Sequence, residues 1–181
     1  LLEALPSMGK SYGSVAAAVA TDTPVTILVG RGQNEQYARI REWCREQGLD
    51  VGQKHEPNGD VYTLPAFHRD CETANGDHGD DWASTVEDWY QAGATPKQIH
   101  KLGPYAVDAD VDALPCHRGD AVCGYTRRWD FDPDEFDVLI GHYAHAHKPK
   151  VTAERVVVLD EFTSAYETTL AGDELRGAVD R

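Results

Sequence analysis

Methionine is nearly missing from this chain, with one in 181 residues, and cysteine is sparse at four. Cys44, Cys71, Cys116 and Cys123 are too few for a disulfide framework at this length, which leaves burial or metal ligation as the expected use of the thiols. No apolar run approaches the ~18 residues of a membrane-spanning helix, and the mean hydropathy is −0.52. A basic segment followed by an apolar stretch and a cleavage site is also lacking, so no signal peptide is visible. No membrane partner is expected, and the expected location is cytoplasmic. Positive charge is scarce: 17 Lys and Arg stand against 31 Asp and Glu, for a net charge of −14. That balance argues against nonspecific nucleic-acid affinity, which ordinarily rests on a basic surface.

Two readings of the acidity compete. Either the partner is not nucleic acid, or the charge is a solubility adaptation spread over the surface. Arginine outnumbers lysine and aspartate outnumbers glutamate. This bias resembles proteins of salt-loving archaea, where high salt screens self-repulsion. We adopt the second reading, under which net charge says little about the ligand. With 41% hydrophobic residues the chain can bury one real core. It opens on Leu1-Leu2 without Met, which leads us to expect an excised domain or a fragment.

Along the chain, Ser14 to Ala20 is rich in small helix formers. Pro24 to Val29 reads as a buried parallel strand, β-branched and without polar alternation. Asn34 is the expected N-cap of an amphipathic helix to about Gln47, stopped by Gly48, with Tyr37, Ile40 and Cys44 on its inner face. Val61 to Leu64 is a weaker strand. From Phe67 to Phe136 the chain turns rich in Asp, Gly, His and Trp, with helices expected at Trp82–Ala92 and from Pro96. Such a long irregular stretch is usually functional or pinned by something. Strands return at Asp137–Gly141 and Arg155–Leu159.

Two motifs carry chemistry. A phosphate-binding loop uses backbone amides at a helix N-terminus to cradle phosphates, a Lys to reach the β/γ-phosphates and a hydroxyl to bind Mg²⁺. Gly9, Lys10 and Ser11 fit its end, preceded by Ser7 and Met8, while Ala4 stands where the first glycine would be. Its partner is a carboxylate ending a buried strand, supplied by Val156-Val157-Val158-Leu159-Asp160-Glu161. Asp160 would hold Mg²⁺ and Glu161 would polarise the attacking water. Each motif is modest alone; together and in this order they point to ATP hydrolysis.

Alanine at the loop start, with Asp-Glu at the second motif, resembles the superfamily 2 helicases of the DEAD/DEAH type. The second motif reads Asp160-Glu161-Phe162-Thr163 and departs from Asp-Glu-Ala-His after the two acids. Asp137 to His145 resembles the strand before that motif in the XPD/DinG-like iron–sulfur branch, and a cysteine-bearing insertion lies between the two motifs, as it does there. Thr26 to Gln36 stands where that family's DNA-backbone strand and loop would fall. The resemblance implies a three-layer α/β, RecA-like domain with a mainly parallel sheet. It also implies ATP and Mg²⁺ as cofactors, DNA as partner, and a second RecA-like motor domain outside this chain. The expected divisions are 1–66 and 137–181 for the ATPase domain and 67–136 for the insertion. The isolated chain is expected to be inactive.

The insertion offers metal ligands. His68-x-x-Cys71 is one close pair, and Cys116 and Cys123 form a looped pair. These four would suit zinc, whereas an iron–sulfur cluster with four thiolates would require Cys44. Cys44 falls on the inner face of its helix, where a structural thiol is the plain explanation. His68 is the expected fourth ligand, ahead of His100 and His117. His142, His145 and His147 follow a strand and read as hydrogen-bonding groups rather than ligands. Trp129, Phe131 and Phe136, beside Arg127-Arg128, allow a base-stacking patch but fit core packing better. Two alternatives stay open: a metal-stabilised nucleic-acid-binding module with a vestigial phosphate loop, and a P-loop ATPase that is not a helicase.

Overall fold

The computed structural model describes residues 10–30, 34–53, 56–102, 114–117 and 121–160. The chain divides into two compact units, 1–50 with 137–181, and 51–136. The second unit therefore begins at Val51, ahead of the composition change at Phe67. Val51 already pairs with Gly59 inside it.

The first unit is α/β with parallel strands. Helix α1 (Lys10–Thr21) leads into β1 (Val25–Val29), followed by α2 (Asn34–Glu46). After the second unit come β3 (Val138–His142), α7 (Pro149–Thr152) and β4 (Val156–Leu159). The strands lie in the order β3-β1-β4, with Val25 opposite both Val138 and Val156. All five residues of β1 are buried, as an unbroken apolar run flanked by parallel neighbours requires. Thr23 N–H closes the end of α1 on the Ala18 carbonyl at 3.0 Å. Only residues 22–24 separate α1 from β1, so the helix runs back against the strand. The N-terminus of α1 thus lies at the carboxyl ends of the strands.

Two packing features fix this unit. On α2, Ile40 and Cys44 are buried, and Gly48 takes a left-handed φ of 86° as the helix stops. Arg155, just ahead of β4, donates to the Thr26 hydroxyl at 3.1 Å and to the carbonyls of Val25 and Asp137 at 3.0 Å. The buried Thr26 hydroxyl donates in turn to the Val151 carbonyl at 2.6 Å. One guanidinium therefore ties β1 to the approaches of β3 and β4. Strand β4 departs from the expectation of a buried strand. It ends the sheet order, pairing on one side with β1, and Val156 and Val157 are 52% and 38% exposed.

The second unit contains β2 (Val61–Thr63), α3 (Phe67–Asp70), α4 (Asp80–Gln91), α5 (Pro96–Leu102) and α6 (Gly124–Arg127), with short 3-10 turns at Pro115–His117 and Pro133–Glu135. Of the strand and the four α-helices, three elements span four residues or fewer. Side chains do the joining. Asp70 meets Arg69 at 2.7 Å and Arg128 at 2.5 Å with its carboxylate nearly buried. Arg128 continues to the Thr63 carbonyl at 2.7 Å and lies over the Tyr62 ring, whose hydroxyl donates to the Arg128 carbonyl. Burial works against the Asp70 charge, but Arg69, the Ala66 amide and Arg128 hold its pKa below the ordinary carboxylate value. Phe131 and Phe136 are buried on Tyr62, with ring centroids 4.8 and 5.2 Å away, so they are core residues rather than a stacking surface.

Breaking a buried ion pair leaves an uncompensated charge, at a cost of about 3–5 kcal/mol. Asp70→Asn should therefore destabilise the chain by about that amount in urea unfolding. An exposed pair such as Glu42–Arg45, both near half exposed, should cost less than about 1 kcal/mol when broken.

Candidate metal centre

Three of the four predicted ligands come together, and the fourth place is taken by a different histidine. The Sγ atoms of Cys71, Cys116 and Cys123 and a ring nitrogen of His100 all lie within 4.8 Å of one another. Cys71 and Cys116 are 3.9 Å apart, and His100 Nε2 is 3.6 Å from Cys71 and 3.2 Å from Cys123. This Cys3His group could hold a metal ion.

Each ligand arrives on its own local device. Cys71 ends α3, with its N–H on the Phe67 carbonyl at 3.0 Å and an extended backbone (φ −92°, ψ 115°). Cys123 precedes α6, and the Arg127 amide closes on its carbonyl at 2.9 Å. The two cysteines share a pattern: the amide three residues on, Ala74 for Cys71 and Thr126 for Cys123, donates to the sulfur. Cys116 sits in the 3-10 turn and gives its N–H to the Thr73 hydroxyl at 3.3 Å, and that hydroxyl also serves its sulfur. Amide and hydroxyl donors of this kind favour thiolate over thiol.

His100 stands on α5, which starts with a reciprocal cap. The Thr95 N–H donates to Gln98 Oε1 at 2.8 Å, and the Gln98 N–H returns to the Thr95 hydroxyl at 3.3 Å, with Pro96 opening the helix. His100 Nδ1 then donates to the Pro96 carbonyl at 2.6 Å, which directs Nε2 toward the sulfurs. Fixing the remote ring nitrogen in this way sets tautomer and ring orientation, as it does for metal-ligating histidines generally. Tyr125 stacks on the ring at 5.8 Å and 8°, while the edges of Phe67 and His117 approach it.

The electrostatics follow from this crowding. Burial opposes charge on His100, but Cys116, Cys123 and the Pro96 carbonyl push its pKa up to about 10. Hydrogen bonds with Cys123 and Cys71 push Cys116 well below an ordinary thiol, while those with Cys116 and Cys123 push Cys71 up. The group thus attracts positive charge into a buried space. Cys44 is the contrast: burial raises it to about 12, and it has no place in the cluster.

His68 is corrected as a ligand. The chain leaves the α3 helix at Cys71, so the two no longer share a helical face. The His68 ring lies half exposed beside Glu87, with Nδ1 3.4 Å from its carboxylate. His117 packs on His100 without joining the group. His142 and His145 cap their own turn: His142 Nδ1 accepts from the Ala144 amide, and His145 Nδ1 accepts from the His142 amide, both at 3.0 Å. The signal that could have found His100 is Thr95-Pro96-Lys97-Gln98, a capping sequence that starts a helix and carries the buried Ile99 beside His100.

Of the nucleotide motifs, Ala4, Ser7, Met8, Gly9 and Glu161 lie outside the described residues. Lys10 and Ser11 begin α1, and Asp160 directly follows β4, its N–H on the Leu28 carbonyl at 2.9 Å. No known protein family, curated protein or solved structure matches this chain.

Gly124 is the tightest point beside the cluster. Both Glu72 carboxylate oxygens accept its N–H at 3.0 Å, and a Cβ there would meet Glu72 Oε1 at 2.8 Å and the Asp70 carbonyl at 3.0 Å. Gly124→Ala should displace the adjacent Cys123 and cost about 1–3 kcal/mol by thermal unfolding. Gly13→Ala, at a helical position with nothing within 4 Å of a new Cβ, is the control and should not destabilise the chain.

Proposed function

We propose that the first unit is the nucleotide-binding half of a helicase-type P-loop motor, which hydrolyses ATP with Mg²⁺ to move on or unwind nucleic acid. The observation that carries this reading is topological. The start of α1, at Lys10 and Ser11, and the end of β4, at Asp160, fall at the same carboxyl edge of a parallel sheet. Open parallel sheets bind ligands at that edge.

On this reading Lys10 neutralises phosphate charge, and the amides of Ser7 to Gly9 cradle the phosphates. Ser11 and Asp160 would hold Mg²⁺, which would supply charge neutralisation on the phosphates, and Glu161 would orient the attacking water. The bond from Asp160 N–H to the Leu28 carbonyl anchors its backbone to the central strand. The second unit, carried between the two halves of this fold in sequence, acts as a strand guide. A second reading is favoured by the convergence of Cys71, His100, Cys116 and Cys123: a metal-organised nucleic-acid-binding module in which the phosphate loop is vestigial.

Thermal unfolding with and without Mg-ATP separates the two. At ATP about 100 times its Kd, wild-type protein should gain about 2.7 kcal/mol. Lys10→Ala should lose that gain, and Asp160→Asn should lose its Mg²⁺-dependent part. A wild-type melt unmoved by Mg-ATP overturns the motor reading.

A further inference from the structure

We infer that Cys71, His100, Cys116 and Cys123 form a closed, mononuclear tetrahedral zinc site that holds the second unit together, and not an iron–sulfur cluster.

The distances separate the two. Zinc bonds sulfur at about 2.3 Å and imidazole nitrogen at about 2.0–2.1 Å, so a tetrahedron has edges of roughly 3.8 Å between sulfurs and roughly 3.5 Å between nitrogen and sulfur. The group has 3.9 Å for Cys71–Cys116 and 3.6 and 3.2 Å for His100 to Cys71 and Cys123. Thiolates around a multi-iron cluster bond outward from different irons, which spreads them farther apart than sulfurs sharing one ion. The donor set agrees. Clusters generally take four thiolates, yet the fourth cysteine, Cys44, is outside the group, with its thiol buried on α2.

The surroundings mark the site as structural rather than catalytic. Four protein ligands complete a zinc tetrahedron and leave no position for water or substrate. The three cysteines are at most 5% exposed and belong to one apolar cluster with Phe67, Val86, Ile99, Leu114 and Tyr125. Outer hydrogen-bond partners are in place for every ligand: the Pro96 carbonyl accepts from His100, while the Ala74 and Thr126 amides donate to Cys71 and Cys123 and the Thr73 hydroxyl to Cys116. Three thiolates and a neutral imidazole around a divalent ion leave one net negative charge, which these amide and hydroxyl donors offset.

The test is metal analysis of the full chain, purified without oxygen. The expected result is one zinc per chain, no acid-labile sulfide and no visible colour. Exchange for Co²⁺ should give the visible bands of a tetrahedral thiolate site. His100→Ala should weaken zinc affinity by more than about 10-fold, while His68→Ala leaves it unchanged. His100→Cys should retain the ion and shift the cobalt spectrum toward four-thiolate ligation, which keeps the assignment testable where cysteine variants do not fold. Chelation, or acidification that lets protons compete for the ligands, should unfold the second unit. A brown protein with iron and sulfide overturns the inference. So does a metal-free protein whose melt is unmoved by added zinc, and unchanged affinity in His100→Ala removes the histidine from the site.

Discussion

The second unit depends on the direction in which one imidazole points. His100 can face three sulfurs because its other nitrogen is bonded to the Pro96 carbonyl one turn earlier on the same helix. That helix is itself fixed by the Thr95–Gln98 cap. Without this chain of local bonds, the ring would be one more partly buried aromatic beside Tyr125 and Phe67. With it, four segments far apart in sequence meet at a point: the end of α3, the middle of α5, a 3-10 turn and the start of α6. A small unit built of short elements has little regular backbone bonding to hold it together, and zinc ligation as inferred would supply the missing constraint.

The two units reach order by different routes. The first relies on an apolar parallel strand with neighbours on both sides, and on Arg155 gathering carbonyls from two segments. Its stability is distributed, and backbone ladders carry much of it. The second places polar and sulfur groups inside its core and joins them in pairs, Asp70 with Arg128 and Glu72 with Gly124. Such networks rigidify when complete and are costly when one member is lost. Packing there is correspondingly intolerant, as the space at Gly124 indicates.

This difference explains what the sequence made legible. The strands at residues 25–29, 138–142 and 156–159 and the helix at 34–46 follow from periodicity, β-branching and stop signals, all of them local. Gly48 marks the end of α2 because only a left-handed residue can turn the chain there. The three clustered cysteines were also legible, since soft ligands separated by Gly and Asp suggest convergence. The histidine was not. Spacing in sequence favoured His68, but spacing implies proximity only while one helix continues, and the backbone is extended at Cys71. His100 lies 29 residues from Cys71, and tertiary packing alone brings them together. The exposure of β4 was hidden for a related reason: a run of valines announces a strand, but not how many neighbours it has.

A closed coordination sphere also constrains where chemistry can reside. With zinc bound as inferred, four protein ligands among buried aromatic side chains would leave no position for a reacting molecule, so the cluster would organise the unit without polarising a substrate. On the proposed function, reactivity therefore belongs to groups left accessible and charged. In the first unit Asp160 is partly exposed at the carboxyl edge of the sheet, while its amide is tied to the central strand. A carboxylate whose backbone is held at that edge suits the Mg²⁺ role proposed for it. On these two proposals the buried cysteines and the partly exposed carboxylate have separate tasks: one set closes a fold, and the other stays open for chemistry.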